Sequence, residues 1–266
     1  MHANISTWAI ATAASLTGAA IAIGVSYHLT QQAITAQLPA AIASHLANEE
    51  EARIAARKEQ ILAPWANAAA LNKPGKHIYG DLNADFTLVE FSDLECGFCK
   101  RFHDTPKQLV EQAGGKINWE WQHYPLAFHN PAADKAAHAA ECIAEEAGNK
   151  AFWAFTGEWF GRSAMNGQGY DDIELLAREV GVKPEAYRSC MDSGRYKQLV
   201  KEQMDKGTAL GVTGTPATVV VDNTTGRQIL VKGAQQPQAL LQAIGQLIEQ
   251  RTQPAMSPIQ EKPVDG

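Results

Sequence analysis

The sequence has no excess of basic residues. Its 266 residues include 23 Lys and Arg against 29 Asp and Glu, which gives a formal net charge of -6 and a pI near 5.8. Proteins that bind nucleic acid through its phosphates usually show a basic patch or a high pI. The composition therefore argues against nucleic acid as a partner. Hydrophobic residues make up 45 % of the chain, which is enough for a globular core.

Cysteine is scarce, and only one pair is closely spaced. Two of the four cysteines lie in the run CGFC at Cys96–Cys99, while Cys142 and Cys190 stand singly. A structural zinc ribbon normally needs a second closely spaced pair, so we expect no metal site. In a reducing cytosol the cysteines would be catalytic thiols or ligands, whereas after export they would suggest disulfides.

Charge is absent from Trp8 to Tyr27, a run of about the 20 residues that a helix needs to cross a bilayer. This pattern predicts export, with residues 1–28 serving as a signal peptide or a membrane anchor. No Lys or Arg precedes the run, and the run is longer than an ordinary signal core, which favours a retained anchor. Ala20-Ile21-Ala22 nevertheless offers a small-x-small cleavage site. A buried helix of a soluble domain is a third alternative, but it would normally show a polar face.

Residues 29–76 predict a helical stalk followed by a linker. Pro39 suits the first turn of a helix, and Pro64 lies just beyond its end. An isolated helix of this length needs packing to be stable. The stalk is therefore expected either to be a plain spacer or to form a homo-oligomer through residues 39–62.

From residue 77 onward the pattern predicts an α/β domain with a helical insert. A strand at 86–92, a helix from Cys96 through Val110 and a strand at 117–124 form a βαβ pattern with a parallel strand pair. Helical periodicity fills residues 130–210. Two strands and a last helix follow, at 217–221, 228–232 and 236–250. The domain is expected over residues 77–250, with a disordered Pro-rich tail at 251–266.

The spacing of CGFC suits thiol–disulfide exchange. Cys96 should lie at a helix N-terminus, where unpaired backbone N–H groups favour the thiolate. In this interpretation Cys96 is the exposed nucleophile, and Cys99 resolves the mixed disulfide. Glu95 should oppose the thiolate, Lys100 and Arg101 should favour it, and the spacer holds no histidine. We therefore expect Cys96 to be less acidic than in the most oxidising proteins of this kind.

Two further residues are candidates for the same site. Pro216 follows a Gly-rich turn and begins a strand, a position that fits either a cis peptide or an ordinary trans turn. Glu90 interrupts an apolar strand. In a central strand it would be buried beneath CGFC and able to exchange a proton, whereas at an edge it would be solvated. The residues alone leave both pairs of alternatives open.

The strand followed by CGFC, the Thr215-Pro216 turn and the helical segment between them resemble the DsbA-like thioredoxin-fold oxidoreductases. The resemblance runs from about Ile78 to Ile248. It implies an α/β thioredoxin fold with an all-helical insertion, here preceded by an N-terminal apolar segment and a helical stalk. The N-terminal helix more weakly resembles the stalked, trimeric ScsC-like subgroup.

The resemblance also implies roles for the site residues. Cys96 would be the nucleophile, Cys99 the resolving cysteine, Pro216 a cis proline that faces the disulfide, and Glu90 a buried proton-transfer group. The edge at Thr215 and Pro216 would hold the substrate backbone by strand-like pairing.

A structural disulfide between Cys142 and Cys190 is also implied, because many members of this branch join two insert helices in this way. Two free buried thiols are the alternative. The link would close a loop of roughly 48 residues, for a stabilisation of about 4 kcal/mol.

The expected function is to form or shuffle disulfides in unfolded or partly folded exported proteins. The protein would be periplasmic or otherwise extracytoplasmic, tethered to the inner membrane, and reset by a membrane redox partner. It would need no cofactor besides the Cys96–Cys99 disulfide. The Gly-Phe spacer and Thr215 resemble isomerase-type members, so an oligomeric isomerase or reductase is an alternative. A Cu(I)-handling protein that binds through both cysteines is another, with His103 as the only nearby extra ligand.

Overall fold

The structure is a computed structural model that describes residues 6–71 and 73–252. The first element is a long helix, α1 (Ser6–Leu62), followed by a 3-10 turn at Ala63–Trp65. Pro39 lies inside α1 rather than in the first turn of a helix, so this prediction was wrong. A proline inside a helix removes one backbone hydrogen bond, and the Ala-rich sequence on both sides offsets this cost.

No helix in the described part of the chain is both long enough and apolar enough to cross a membrane. The anchor at residues 1–28 therefore remains an expectation. Residues 1–5 and 253–266, which include nearly all of the predicted tail, lie outside the described residues, as do the side chains up to residue 24.

Backbone contacts divide the chain into two units, residues 1–55 and residues 56–266. A five-stranded sheet forms the centre of the second unit. Its strands in chain order are β1 (His77–Tyr79), β2 (Phe86–Ser92), β3 (Ile117–His123), β4 (Ala217–Asp222) and β5 (Gln228–Lys232). Their spatial order is β1-β3-β2-β4-β5, with β2 parallel to β3 and the other neighbours antiparallel. The parallel pair confirms the predicted βαβ pattern, and β2 is the central strand.

Helices cover the sheet and fill a long insert between β3 and β4. Two helices follow β2, namely α2 (Gly97–Phe102) and α3 (Asp104–Gln112), and α9 (Pro237–Thr252) follows β5. A 3-10 turn at Ala127–His129 leads into the insert, whose five helices are α4 (Ala132–Ala147), α5 (Asn149–Arg162), α6 (Ile173–Glu179), α7 (Pro184–Ser193) and α8 (Lys197–Ala209). This arrangement is a thioredoxin fold with an all-helical insertion, as predicted.

The helix that begins beside Cys96 is shorter than the sequence predicts. It ends at Phe102, and α3 starts at Asp104 after a break at His103. Pro106 lies in the first turn of α3 and has no N–H to donate to the carbonyl of Phe102, which a continuous helix would require. The proline thus limits the CGFC helix to six residues.

Aromatic packing anchors the insert to the sheet. Trp119 and Trp121 on β3 and Trp153 on α5 are each 0 % exposed. The rings of Trp119 and Trp153 lie 4.2 Å apart between centroids, and Trp65 stacks on Trp153 at 5.9 Å. Buried aromatic side chains carry large apolar areas and dominate core energetics. The insert therefore holds a fixed position against the strands that carry CGFC.

Cys142 on α4 and Cys190 on α7 form a disulfide within the insert, as the family resemblance implies. Both residues are fully buried.

Replacing Cys142 and Cys190 together by alanine should lower the free energy of unfolding of the oxidised protein by about 4 kcal/mol, because the bond joins residues separated by 48 positions. Urea denaturation measures this difference. The matched control is the double variant Cys96→Ala and Cys99→Ala, which keeps the insert disulfide. A loss below about 1 kcal/mol, at the low end of the range for disulfides, would contradict a stabilising role.

Candidate active site

Cys96 caps the N-terminus of α2, as the sequence predicts. Its backbone is extended, with φ -86° and ψ 118°. Its N–H donates to the carbonyl of Asp93 at 3.0 Å, and its own carbonyl accepts from the N–H of Lys100 at 3.0 Å. The free N–H groups of the first helical turn are therefore close to the sulfur, where they stabilise negative charge.

Cys96 is the more acidic of the two thiols. A hydrogen bond from the Cys99 thiol, assisted by Thr215 and the backbone N–H groups of Cys99 and Phe98, lowers the pKa of Cys96 to about 6 against the effect of burial. Burial and the neighbouring Cys96 charge instead raise the pKa of Cys99. The pKa of Cys96 is thus higher than the pKa of about 3.5 found in DsbA. The sequence likewise predicts a less acidic cysteine.

Cys96 is less exposed than predicted. The residue is only 5 % exposed, because it sits on the floor of a depression between the loops that follow β2 and β3 and the loop that precedes β4. This depression, the Cys96 cavity, has a volume of about 550 Å³. Its lining includes Phe98, Arg101, Phe128, His129 and Thr213. A substrate must enter this cavity to reach the sulfur.

The Thr215–Pro216 peptide bond is cis rather than trans. Pairing of Phe91 on β2 with Ala217 on β4 brings the start of β4 to the end of β2. The Cys96 thiol donates to the carbonyl of Thr215 at 3.5 Å. The structure thus places this turn directly beside the nucleophilic sulfur.

Glu90 lies in the middle of β2, between Trp121 of β3 and Thr218 of β4. It is 0 % exposed, as expected for a central strand. Burial raises its pKa to about 8, and the Cys96 charge adds to this effect. Glu90 also raises the pKa of Cys99. At neutral pH the carboxyl group is therefore mostly protonated and holds a proton close to the cysteine pair.

Glu95 has a structural role that the sequence does not suggest. Its carboxylate is buried and accepts four hydrogen bonds of 2.7 to 3.0 Å, from Trp159 Nε1, Ser163 Oγ and the N–H groups of Gly167 and Gly169. Four donors compensate its negative charge. Glu95 therefore fastens the loop between α5 and α6 to the turn before CGFC.

Sequence reasoning missed Asp93 and His129. The Asp93 carboxylate accepts from His129 Nδ1 at 2.6 Å and from the backbone N–H groups of Glu95 and Leu126 at 2.7 and 3.0 Å. His129 also lines the Cys96 cavity. The signal that could have found this pair is topological. Because β2 and β3 are parallel, the loops that follow them leave the same edge of the sheet.

His103 is enclosed by aromatic rings and is poorly placed to support metal binding by the cysteine pair. Its ring lies 4.9 to 6.1 Å from four others, those of Trp65, Trp119, Trp121 and Phe160. Burial lowers the pKa of His103 to about 3. The Cu(I) alternative therefore gains no support from this residue.

One other cluster in the described part of the chain consists of residue types that commonly bind metal ions. A ring nitrogen of His138 and the sulfurs of Cys142 and Cys190 lie within 4.8 Å of one another. Sequence reasoning overlooked His138, which stands one helical turn before Cys142. Because the two sulfurs are joined in a disulfide, they offer no thiolate ligands in this state.

Comparisons with known proteins agree with this geometry. A family model described as "Thioredoxin" matches residues 72–245. The structure of DsbA2 from Pseudomonas aeruginosa is 32 % identical, covers 68 % of this chain and 99 % of its own, and superposes with a TM-score of 0.60. A thioredoxin-like oxidoreductase from Silicibacter pomeroyi is 26 % identical over 67 % of this chain and 95 % of its own, with a TM-score of 0.56.

Curated relatives include larger proteins. The Na(+)/H(+) antiporter NhaA 1 of Mycolicibacterium gilvum is 27 % identical over 146 residues, which are 54 % of this chain but 23 % of the antiporter. The chain thus spans about a quarter of that relative's length, and the match does not bring ion transport to it. The family match covers well over half of the chain, and DsbA2 is matched over nearly its full length. The chain therefore belongs to the thioredoxin family, among its DsbA-type thiol:disulfide oxidoreductases.

Proposed function

We propose that the chain forms or shuffles disulfides in exported proteins through the Cys96–Cys99 pair. The observation that carries this proposal is the difference between the two thiols. Cys96 is acidic, with a pKa of about 6, and lines a cavity, whereas Cys99 is fully buried with a raised pKa. Thiol–disulfide exchange needs such an accessible thiolate and a second thiol that displaces the mixed disulfide.

The exchange begins when a substrate thiolate attacks Sγ of Cys96 in the oxidised pair. The bond between Cys96 and Cys99 breaks, and Cys99 leaves as a thiolate that takes up the proton of Glu90. A second substrate thiolate then attacks the substrate sulfur of the mixed disulfide and releases Cys96 as a stabilised thiolate. In the reverse direction reduced Cys96 attacks a substrate disulfide, and Cys99 resolves the intermediate.

Unfolded or partly folded proteins fit the surroundings of the Cys96 cavity. Phe98 is 60 % exposed and Phe128 is 76 % exposed, and both line the cavity. Exposed aromatic side chains around a cleft favour apolar segments that a folded protein would bury. Within the described chain the N–H of Thr215 has no hydrogen-bond partner, so it is free to pair with an extended substrate backbone.

An extracytoplasmic location agrees with the disulfide between Cys142 and Cys190, because such bonds persist in oxidising compartments. A membrane redox partner would restore the oxidation state of Cys96 and Cys99 after each cycle. Tethering through the N-terminal segment is part of the same proposal.

Replacing Cys96 by serine should abolish exchange with a reduced, unfolded protein, because no other free thiol lines the cavity in the described chain. Replacing Cys99 by serine should instead trap a mixed disulfide at Cys96, which mass spectrometry of the digested adduct detects. The matched control is the Cys142→Ala, Cys190→Ala pair, which leaves CGFC intact. Exchange by the Cys96→Ser variant at the wild-type rate would refute the assignment of the nucleophile.

Glu90 should make stability depend on pH in a predictable direction. Its pKa rises from 4.5 to about 8 on folding, so between these values the folded protein holds a proton that the unfolded chain has released. The contribution of Glu90 to the free energy of unfolding should therefore fall as pH rises through this range, by at most about 1.4 kcal/mol per pH unit. Glu90→Gln should remove this contribution, and the difference between the pH slopes of the two reduced proteins in urea denaturation measures it, because ionisation of Cys96 acts in the opposite direction in both.

The control for that experiment is Glu49→Gln, since Glu49 is exposed on α1. If Glu90→Gln and the wild type show the same pH slope, Glu90 does not retain its proton in the folded state. A steeper fall in Glu90→Gln than in the wild type would also contradict the prediction.

Isomerase-type action is the second candidate, and two observations favour it. The pKa of Cys96 is milder than that of the strongest oxidants. Ile42 and Leu46 are each more than half exposed and lie four residues apart on α1, which suits self-association through residues 39–62.

The reduction potential and the mass of the full chain, measured on one sample, separate the candidates. Isomerase action predicts an oligomer and a potential near about -180 mV, as in protein disulfide isomerase, whereas a strong oxidase would lie near about -120 mV. A monomer with the higher potential would eliminate the isomerase candidate.

A further inference from the structure

We propose that His129 is a catalytic residue of the exchange reaction, and that Asp93 is the residue that positions it. The proposal rests on the proposed function of Cys96. His129 would serve as the proton acceptor for the attacking substrate thiol, a role that no residue of the CGFC spacer can fill.

Asp93 links the imidazole to both cysteines. Its carboxylate holds His129 Nδ1 at 2.6 Å. Its backbone N–H donates to Sγ of Cys99 at 3.5 Å, and its carbonyl accepts from the N–H of Cys96 at 3.0 Å. Asp93 is 1 % exposed, so the three contacts are held in a nearly dry environment.

The hydrogen bond to Asp93 leaves the other ring nitrogen, Nε2, as the one that can accept a proton. A carboxylate accepts hydrogen bonds, and two backbone N–H groups besides His129 donate to that of Asp93, so in neutral His129 the proton belongs on Nδ1. Nε2 then carries the free lone pair, and the ring lines the cavity that also contains Cys96. Nucleophiles are commonly activated by such a base, itself oriented by a third group.

The loop around His129 is held from the insert side. A Cβ at Gly167 would lie 3.2 Å from the Cα and the carbonyl oxygen of His129, and Gly167 has φ +83°, so only glycine fits there without strain. The N–H of Gly167 donates to buried Glu95 at 3.0 Å. The same carboxylate that fastens the insert therefore also supports the wall behind the imidazole.

In the described chain, charged and titratable groups approach His129 from several elements. Asp93 contacts the ring directly, Arg101 and Cys96 share the cavity, and Asp134 of α4 interacts electrostatically with Asp93. Asp93 favours the imidazolium that forms when Nε2 takes a proton, and the Cys96 thiolate does so as well once it is released. Arg101 opposes it.

The proposed step balances protons and electrons. Nε2 of His129 takes the proton of a substrate thiol while the sulfur attacks Sγ of Cys96. The bond between Cys96 and Cys99 breaks, and its electron pair leaves with Cys99, which is protonated by Glu90. The second substrate thiol releases its proton to solvent, and its sulfur attacks the substrate sulfur of the mixed disulfide and displaces Cys96, which leaves as a thiolate beside the imidazolium. His129 and Glu90 then regain their starting protonation states by exchange with solvent. The substrate dithiol is oxidised by two electrons, and the enzyme disulfide is reduced by two.

The test compares two classes of substrate thiol on the full-length protein. An alkyl dithiol peptide is mostly protonated at pH 7 and needs a base, whereas an aryl thiol is already ionised and needs none. In the variant His129→Gln the side-chain amide can still donate to Asp93, but it cannot take a proton. We expect a loss of about 100-fold in the rate with the alkyl dithiol, at the low end of the range for general base catalysis, and a change of less than about twofold with the aryl thiol.

Asp93→Asn should lower the alkyl rate less than His129→Gln does and should also spare the aryl thiol, because it keeps an oxygen for Nδ1. The matched control is His138→Gln, a buried histidine on α4 outside the Cys96 cavity. Thermal unfolding of each variant checks that the fold is retained.

Equal alkyl rates for His129→Gln and the wild type would overturn the proposal. Equal losses on both substrates would overturn it too, since they indicate that the pair only shapes the loop. Failure of the proposed function looks different. In that case the wild type itself would oxidise neither thiol faster than Cys96→Ser does.

Discussion

The central strand β2 is buried along its whole length, and β2 and the turn after it bring three carboxyl groups into the protein interior beside CGFC. Burying a carboxylate without compensation is costly, and each of the three has a different solution. Glu90 stays protonated, Asp93 accepts three hydrogen bonds, and Glu95 accepts four from the insert. The contacts that compensate these buried carboxyl groups also determine how the turn around CGFC is held.

Compensation of Glu95 ties the insert to the reaction centre. Its donors come from α5 and from the loop after it, while the aromatic core fixes α5 to β3. A shift in the position of the insert would therefore also move the turn that carries Cys96, because direct contacts join the two. The disulfide between α4 and α7 stiffens the same insert. In this fold the helical insert is part of the support of the active site.

Local sequence patterns predicted the helices and strands, but they could not predict contacts between loops that are distant in the sequence. Alternation and periodicity identified the strands, the insert and the helix start at Cys96, because each is encoded within a few neighbouring residues. The break before Pro106 could have been predicted, since proline acts locally. The contact between His129 and Asp93 is not encoded locally, because the two residues lie 36 positions apart in different loops, and only the parallel pairing of β2 with β3 could have indicated it. The hydrogen bonds of Glu95 were missed for the same reason, since its donors lie 64 to 74 positions further along the chain.

The milder acidity of Cys96 follows from what surrounds it. Its thiolate is stabilised mainly by the Cys99 thiol and by backbone N–H groups, with burial acting against it. A histidine in the spacer would stand next to the sulfur, whereas His129 lies in the 3-10 turn after β3 and is bound to the Asp93 carboxylate. In the proposed mechanism Asp93 compensates the charge that His129 gains when it takes a proton. That mechanism assigns proton transfer and thiolate stabilisation to different residues, so it does not require a strongly acidic Cys96.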